Sequence, residues 1–304
     1  MMTHEEAHRA YQQALELRRQ GRLEGALELL QRAAPELPGN PRVPYHLGLV
    51  LHGLGRIDEA MESYRRALEV DPDYAFASGN LGVLHLERKE YPEARERFAH
   101  VLGLRPDDAV PHGNMALALA GLGHVREALE HFERATELDD RNANILTEYG
   151  RALLSAGRPD DALGCFRRAA ESEPTSVQAL AGVGYVYEMM EQPEKAVPWL
   201  ERALVQQPDY RPAVQTMGCA LLHLGRASEA IPWFDQTIAL APKDFEGYYN
   251  RACAHAALEN FQGARVDLEQ VIQLAPPGLR KHLKADKDLS PLRKEPWFIA
   301  LTSG

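Results

Sequence analysis

The apolar positions of the chain repeat on two scales. Within a stretch such as IDEAMESYRRALEV (57–70), apolar residues fall three or four apart with charged residues between them, the spacing of one face of a helix. Along the whole chain the same face returns at a fixed interval. Ala26, Ala60, Ala94, Ala128, Ala162, Ala196, Ala230 and Ala264 stand 34 residues apart without exception. Four residues after each comes a bulky side chain: Leu30, Tyr64, Phe98, Phe132, Phe166, Leu200, Phe234 and Leu268. A large–small pair precedes them at Leu47-Gly48, Leu81-Gly82, Tyr149-Gly150, Val183-Gly184 and Met217-Gly218.

Punctuation follows the same period. Gly21, Gly55, Gly123, Gly157 and Gly225 sit between two helical stretches, where a left-handed residue ends the first helix. Pro38, Pro72, Pro106, Pro174, Pro208, Pro242 and Pro276 close the second stretch, with Asp140 in the one remaining repeat. Each interval therefore reads as a pair of helices whose small residues permit close approach and whose bulky residues fill the gap. One pair cannot bury its own apolar face, so the pairs must stack.

These columns resemble the tetratricopeptide repeat family over residues 7–278. They divide into eight repeats (7–40, 41–74, 75–108, 109–142, 143–176, 177–210, 211–244 and 245–278) after a flank at 1–6. The resemblance implies an all-α, right-handed superhelical solenoid, one cooperative body with the first helix of each repeat on its concave side. Residues 279–304 are expected to form capping helices. Helical turns are predicted at 279–286, after Ser290-Pro291 and after Glu295-Pro296, with Trp297, Phe298, Ile299 and Leu301 sealing the last repeat.

Composition narrows the function. Among 304 residues, 45% are hydrophobic and 26% charged, which fits a folded globular chain, and the net charge of −10 argues against general nucleic-acid binding. The three cysteines form neither a disulfide framework nor a C-x-x-C pair, and the start lacks the basic and apolar regions of a signal peptide. No apolar run approaches the ~20 residues of a membrane span. The expectation is a cytoplasmic protein without membrane insertion.

No metalloprotease, phosphate-loop or nucleophile-elbow motif is present. Cys219 and His223, spaced i,i+4, with Cys253 in the next repeat, are the best metal candidates. They lack the tight spacing of a metal site, and no cofactor, metal or catalytic residue is expected. The segment after Gly278 carries six Lys/Arg against three Asp/Glu, a basic patch on an acidic chain.

The resemblance also implies which first-helix positions face a ligand. Mapped onto this chain they give Arg42 and Tyr45, then Phe76, Gly79, Asn80 and Val83, then Gly113, Asn114 and Leu117, then Arg151, and finally Tyr249 and Asn250. Repeats 3 and 4 line this groove with small, uncharged and apolar residues, suited to a protein or peptide partner. Asn80, Asn114 and Asn250 share a column similar to the asparagine ladder in the repeats of the O-linked N-acetylglucosamine transferase family. His46, Glu148, Gly182 and Thr216 interrupt it, and that family's transferase domain has no counterpart here. An Asn amide offers a donor and an acceptor to a partner backbone, or to a neighbouring helix of the array itself. Tyr45, Leu49, Val110 and Asn114 stand where a dicarboxylate clamp would need charged and polar residues, so a chaperone tail is not the expected ligand.

Pro198-Trp199 and Pro232-Trp233 occupy matching positions in the second helices of repeats 6 and 7 and form a candidate convex patch. The leading expectation is a non-catalytic adaptor, monomeric or weakly self-associating. Its alternatives are a self-assembling scaffold and a substrate-recruiting subunit of a transferase or other multi-chain enzyme.

Overall fold

The computed structural model describes residues 2–276 and 278–303, and all regular structure among them is helical. Two compact units divide the chain, residues 1–140 and 141–304. The first unit holds α1 (His4–Arg19), α2 (Leu23–Ala33), α3 (Arg42–Gly53), α4 (Ile57–Val70), α5 (Ala75–Glu87), α6 (Tyr91–Leu104), α7 (Ala109–Gly121) and α8 (Val125–Leu138). The second holds α9 (Ala143–Ser155), α10 (Pro159–Ser172), α11 (Val177–Met189), α12 (Pro193–Gln206), α13 (Arg211–His223), α14 (Ala227–Leu240), α15 (Phe245–Ala257) and α16 (Phe261–Leu274). After these come α17 (Leu279–Ala285), a 3₁₀ turn at Ser290–Lys294 and α18 (Pro296–Thr302). The repeats that the 34-residue period delimits are thus helix pairs, four in each unit.

Within each pair the small and bulky columns meet. A Cβ added to Gly48 would lie 2.5 Å from the Tyr64 ring, one at Gly82 2.8 Å from Phe98, one at Gly184 2.6 Å from Leu200 and one at Gly218 2.5 Å from Phe234. The glycine is required because the ring already fills the space a side chain would take. Gly150 meets Phe166 in the same way, at 2.9 Å, and the three remaining repeats put alanine there, with Ala14 and Leu30, Ala116 and Phe132, and Ala252 and Leu268 all buried. Successive first helices also touch (α1 with α3, α5 with α7, and α9, α11, α13 and α15 in series), while successive second helices make no comparable contacts among the described residues. Each unit therefore presents its first helices on its inner face.

The inter-helix turn is left-handed in every repeat but not always glycine. Gly21, Gly55, Gly123, Gly157 and Gly225 have φ between 72° and 81°, while Lys89, Glu191 and Glu259 take the same turn with φ of 60°, 56° and 56°. In all eight the next backbone N–H reaches back five residues, as Arg56 does to Leu51 (2.9 Å) and Glu90 to His85 (2.9 Å), closing a Schellman motif. The glycine signal thus identified five of eight turns.

Two end structures differ from the sequence reading. Half of the flank read at 1–6 is already helix, since α1 begins at His4: Thr3 caps it, accepting from the Glu6 N–H (3.2 Å) while its own N–H donates to the Glu6 carboxylate (2.7 Å). At the other end Gly278 is left-handed (φ 105°), and Pro277, read as part of the same break, lies outside the described residues. Leu283, Leu289, Leu292 and Phe298 bury themselves against Ala252, Cys253, Ala256, Leu268 and Val271. Trp297 and Leu301 pack only partly, and Ile299 is 52% exposed because one helical step past Phe298 turns it outward.

In the last repeat the column that holds Trp199 and Trp233 carries Asp267, 2% exposed. It accepts two hydrogen bonds from Arg251 (2.9 and 2.6 Å), whose third reaches Asp235 (2.6 Å). Removing one partner of a buried bidentate pair strands the other. Asp267→Ala should cost about 3 kcal/mol by urea denaturation, and Arg251→Met with Asp267→Leu should recover most of it. Replacing Lys89, Glu191 or Glu259 by glycine should each stabilise by roughly 0.5–1 kcal/mol, since relief of left-handed strain exceeds glycine's added entropy cost. Equal or lower denaturation midpoints would contradict this.

Candidate functional site

In the first unit two of the predicted groove residues, Tyr45 and Phe76, join Tyr74 in an aromatic cluster. Tyr45 of α3 lies 5.3 Å, ring to ring, from Tyr74 and 6.2 Å from Phe76, which is 51% exposed and carries the Arg105 guanidinium 4.3 Å above it. Asn80 of α5 faces the phenols of Tyr45 and Tyr64, opposing the rise in their pKa that burial imposes. Its amide is therefore directed at the array itself. Arg42 is exposed, and Val83 and Leu117 are half-buried. Asn114 is half-buried, with no side-chain hydrogen bond to another described residue. Gly113 is buried, whereas a Cβ at Gly79 would meet only Val101 at 3.9 Å, so no close approach demands glycine there.

In the same unit three polar atoms are buried without a hydrogen-bond partner among the described residues: Arg18 Nε, His46 Nδ1 and Tyr64 Oη. Arg18 Nε donates, Tyr64 Oη donates or accepts, and His46 Nδ1 does one or the other according to its tautomer. Such a group costs about 1–3 kcal/mol when left unpaired. Burial, reinforced by Arg18 and Arg42, pushes the His46 imidazole down to about 4.

The second unit contains cavities where sequence reading found a gap in the asparagine column. Gly182 of α11 stands in that column, and a Cβ there would lie 2.5 Å from the Phe166 ring of the preceding repeat. A cavity of about 360 Å³ opens above this point, walled by Arg151, Leu154, Ala181, Tyr185, Pro212 and Thr216, with Phe166 in its lining. Arg151, predicted for the groove, pairs with Glu148 at 2.8 Å. Tyr185 in its wall exposes 44% of its surface.

An adjoining cavity of about 260 Å³ shares Tyr185, Pro212 and Thr216 and adds Glu188, Arg211, Gln215, Cys219 and Glu246. The Thr216 hydroxyl donates to the Pro212 carbonyl (2.7 Å), so it is spent within its own helix. The Glu188 carboxylate sits 2.9 Å from His223 Nδ1, and its burial raises its pKa against the pull of that imidazole. Glu246 accepts from Gln215 (2.9 Å), and Arg211 donates to Asp244. Gly182 was legible as a departure from the column. That it uncovers a ring from the preceding repeat was not.

Other predicted residues are engaged within the chain. Tyr249 donates to Asp286 of the C-terminal segment, and Asn250 contacts Cys219 Sγ at 3.6 Å. Burial raises the Cys219 thiol to about 12, and Cys253 is 2% exposed beneath the same segment. His223 is turned to Glu188, and among the described residues no group of three or more His, Cys, Asp or Glu could hold a metal ion. Trp199 and Trp233 are half-buried against the second unit's core, and Arg202 lies 4.6 Å over the Trp199 ring. No helix among the described residues is long and apolar enough to cross a membrane.

The architecture defines a protein of stacked helix pairs with an inner face for contact. Profiles of the tetratricopeptide repeat match residues 3–164, 150–211 and 245–277. The chain belongs to the tetratricopeptide repeat family, whose repeats serve as protein-interaction scaffolds. Among solved structures it is similar to pilF of Pseudomonas aeruginosa (21% identity, 67% of this chain and 93% of that one, TM-score 0.61). A tetratricopeptide repeat protein of Parabacteroides merdae matches at 15% identity over 87% of this chain and 99% of that one, TM-score 0.60. The Cut9–Hcn1 hetero-tetramer of the APC/C matches at 16% identity over 79% of this chain, TM-score 0.68, with about half (48%) of that chain covered. These likenesses concern the fold. No curated protein matches the sequence.

The position of His46 generates a pH dependence. Its folded pKa of about 4 lies below the unfolded value near 6.5, so the neutral form is favoured by folding. That stability is complete above pH 6.5 and is lost as pH falls toward 4, up to about 3 kcal/mol. Denaturation at pH 7 and pH 5 should show a drop of about 2 kcal/mol that His46→Gln removes. An identical drop in the variant would refute it.

Proposed function

We propose that the protein is a non-catalytic adaptor whose first-helix faces hold an extended segment of a protein partner. The observation that carries this reading is the cavity over Gly182, a side-chain-sized apolar recess at a ligand-facing position of the repeats. Supporting it are Phe76 and Val110, each 51% exposed on the inner face of the first unit, and the uncommitted amide of Asn114. A stiff array pays little ordering cost on binding, so shallow contacts and backbone pairing suffice for useful affinity.

Asn80 has a different role in this reading from Asn114. It orients the Tyr45–Tyr64 cluster, while Asn114 contacts the partner. Three free cysteines, two of them buried, fit a reducing compartment, and we place the protein in the cytoplasm.

A bait carrying Asn114→Ala with Tyr185→Ala should lose a partner that the unaltered bait retains from extract of its own cells, with unchanged helical circular dichroism. Equal retention by both baits would defeat the reading.

A further inference from the structure

The two adjoining cavities of the second unit differ in character, and the difference specifies a ligand. The cavity over Gly182 is neutral: its one cation, Arg151, is already paired with Glu148 (2.8 Å), and Phe166, Leu154 and Ala181 supply apolar surface. The neighbouring cavity is acidic. Among the described residues Glu188 has one charged partner, an imidazole, which carries a full charge only when protonated. Glu246 has the neutral amide of Gln215, with the Arg211 guanidinium 3.9 Å away. That guanidinium donates to Asp244, so the two glutamates exceed the cationic charge available to them. Burial already disfavours the Glu188 anion, so a cation arriving there would relieve a cost.

Position along the helix sets the spacing. Gly182 and Glu188 are six residues apart on α11, about 9 Å along its axis. A segment in the polyproline II conformation, with three residues per turn and about 3.1 Å per residue, covers that distance in about three residues and keeps both side chains on one face.

We propose that this surface takes a partner segment with an aromatic side chain in the recess over Gly182 and a lysine or arginine about three residues away against Glu188 and Glu246. The proposal rests on the reading that this first-helix face binds a partner segment. It adds the chemistry by which that segment is chosen. Aromatic insertion supplies the affinity, and charge complementarity supplies discrimination between otherwise similar segments.

Fluorescein-labelled peptides of sequence Gly-Trp-Ala-Ala-X-Gly, with X arginine or glutamate, and a third with alanine for tryptophan beside arginine, test this by anisotropy. The tryptophan–arginine peptide should bind about tenfold more tightly than either of the others. Glu188→Gln with Glu246→Gln should cut the arginine preference to about twofold. Tyr185→Ala, at a site exposed enough to keep the fold, should weaken both tryptophan peptides by about tenfold. Equal binding of the arginine and glutamate peptides would overturn the cation assignment and leave the groove reading standing. Equal binding with and without tryptophan would overturn the aromatic recess. Normal discrimination undiminished by Tyr185→Ala would place binding elsewhere and overturn the proposal together with the groove reading for this unit. No binding of any peptide at millimolar concentration would overturn the proposal alone, since partner retention through Asn114 and Tyr185 is measured separately.

Discussion

Each repeat depends on one contact, a glycine or alanine on the first helix against a bulky side chain sixteen residues later on the second. Gly48 under Tyr64, Gly82 under Phe98 and Gly218 under Phe234 let the helix axes approach until ring and backbone touch. Close-packed interiors tolerate little change in such a gap, since added volume displaces whole helices. The glycine's intrinsic helix penalty of about 1 kcal/mol is offset by the burial it permits. A weak helix former in mid-helix is therefore the condition for packing rather than a flaw in it.

The same contact, doubled once, builds the candidate site. Phe166 is met by Gly150 of its own repeat, where a Cβ would lie 2.9 Å away, and again by Gly182 of the next repeat at 2.5 Å. The second glycine stands where other repeats carry Asn80, Asn114 or Asn250, so the inner face loses a side chain above a ring held firmly from below. A recess lined by an immobile aromatic ring follows from the packing rule itself, which makes the site preorganised.

What was legible in the sequence was whatever the period repeats. The helix pairs and the glycine turns each rest on a residue column, and the C-terminal cap on the place where the columns stop. Lys89, Glu191 and Glu259 escaped because the Schellman turn is imposed by neighbouring repeats and accepts a strained residue without a glycine. Asp267 escaped because its partner Arg251 is sixteen residues away, and each looked like an ordinary helix-surface charge. The asparagine column was visible, but its members face different surroundings: Asn80 faces two phenols, Asn250 a thiol, and Asn114 makes no side-chain hydrogen bond to a described residue. The capping box at Thr3 and Glu6 was readable from its spacing, and the flank assignment passed over it.

In the proposed mode of binding, partner segments lie on the inner, first-helix face, over Gly182. A photo-cross-linking phenylalanine derivative at position 185, compared with one at position 205, tests it directly. Val205 is 76% exposed on α12 and serves as an outward control of greater accessibility. With the partner present, cross-links should form at position 185 and not at 205, and mass spectrometry should map them to one short segment of the partner. Cross-links at 205 with none at 185 would contradict the account.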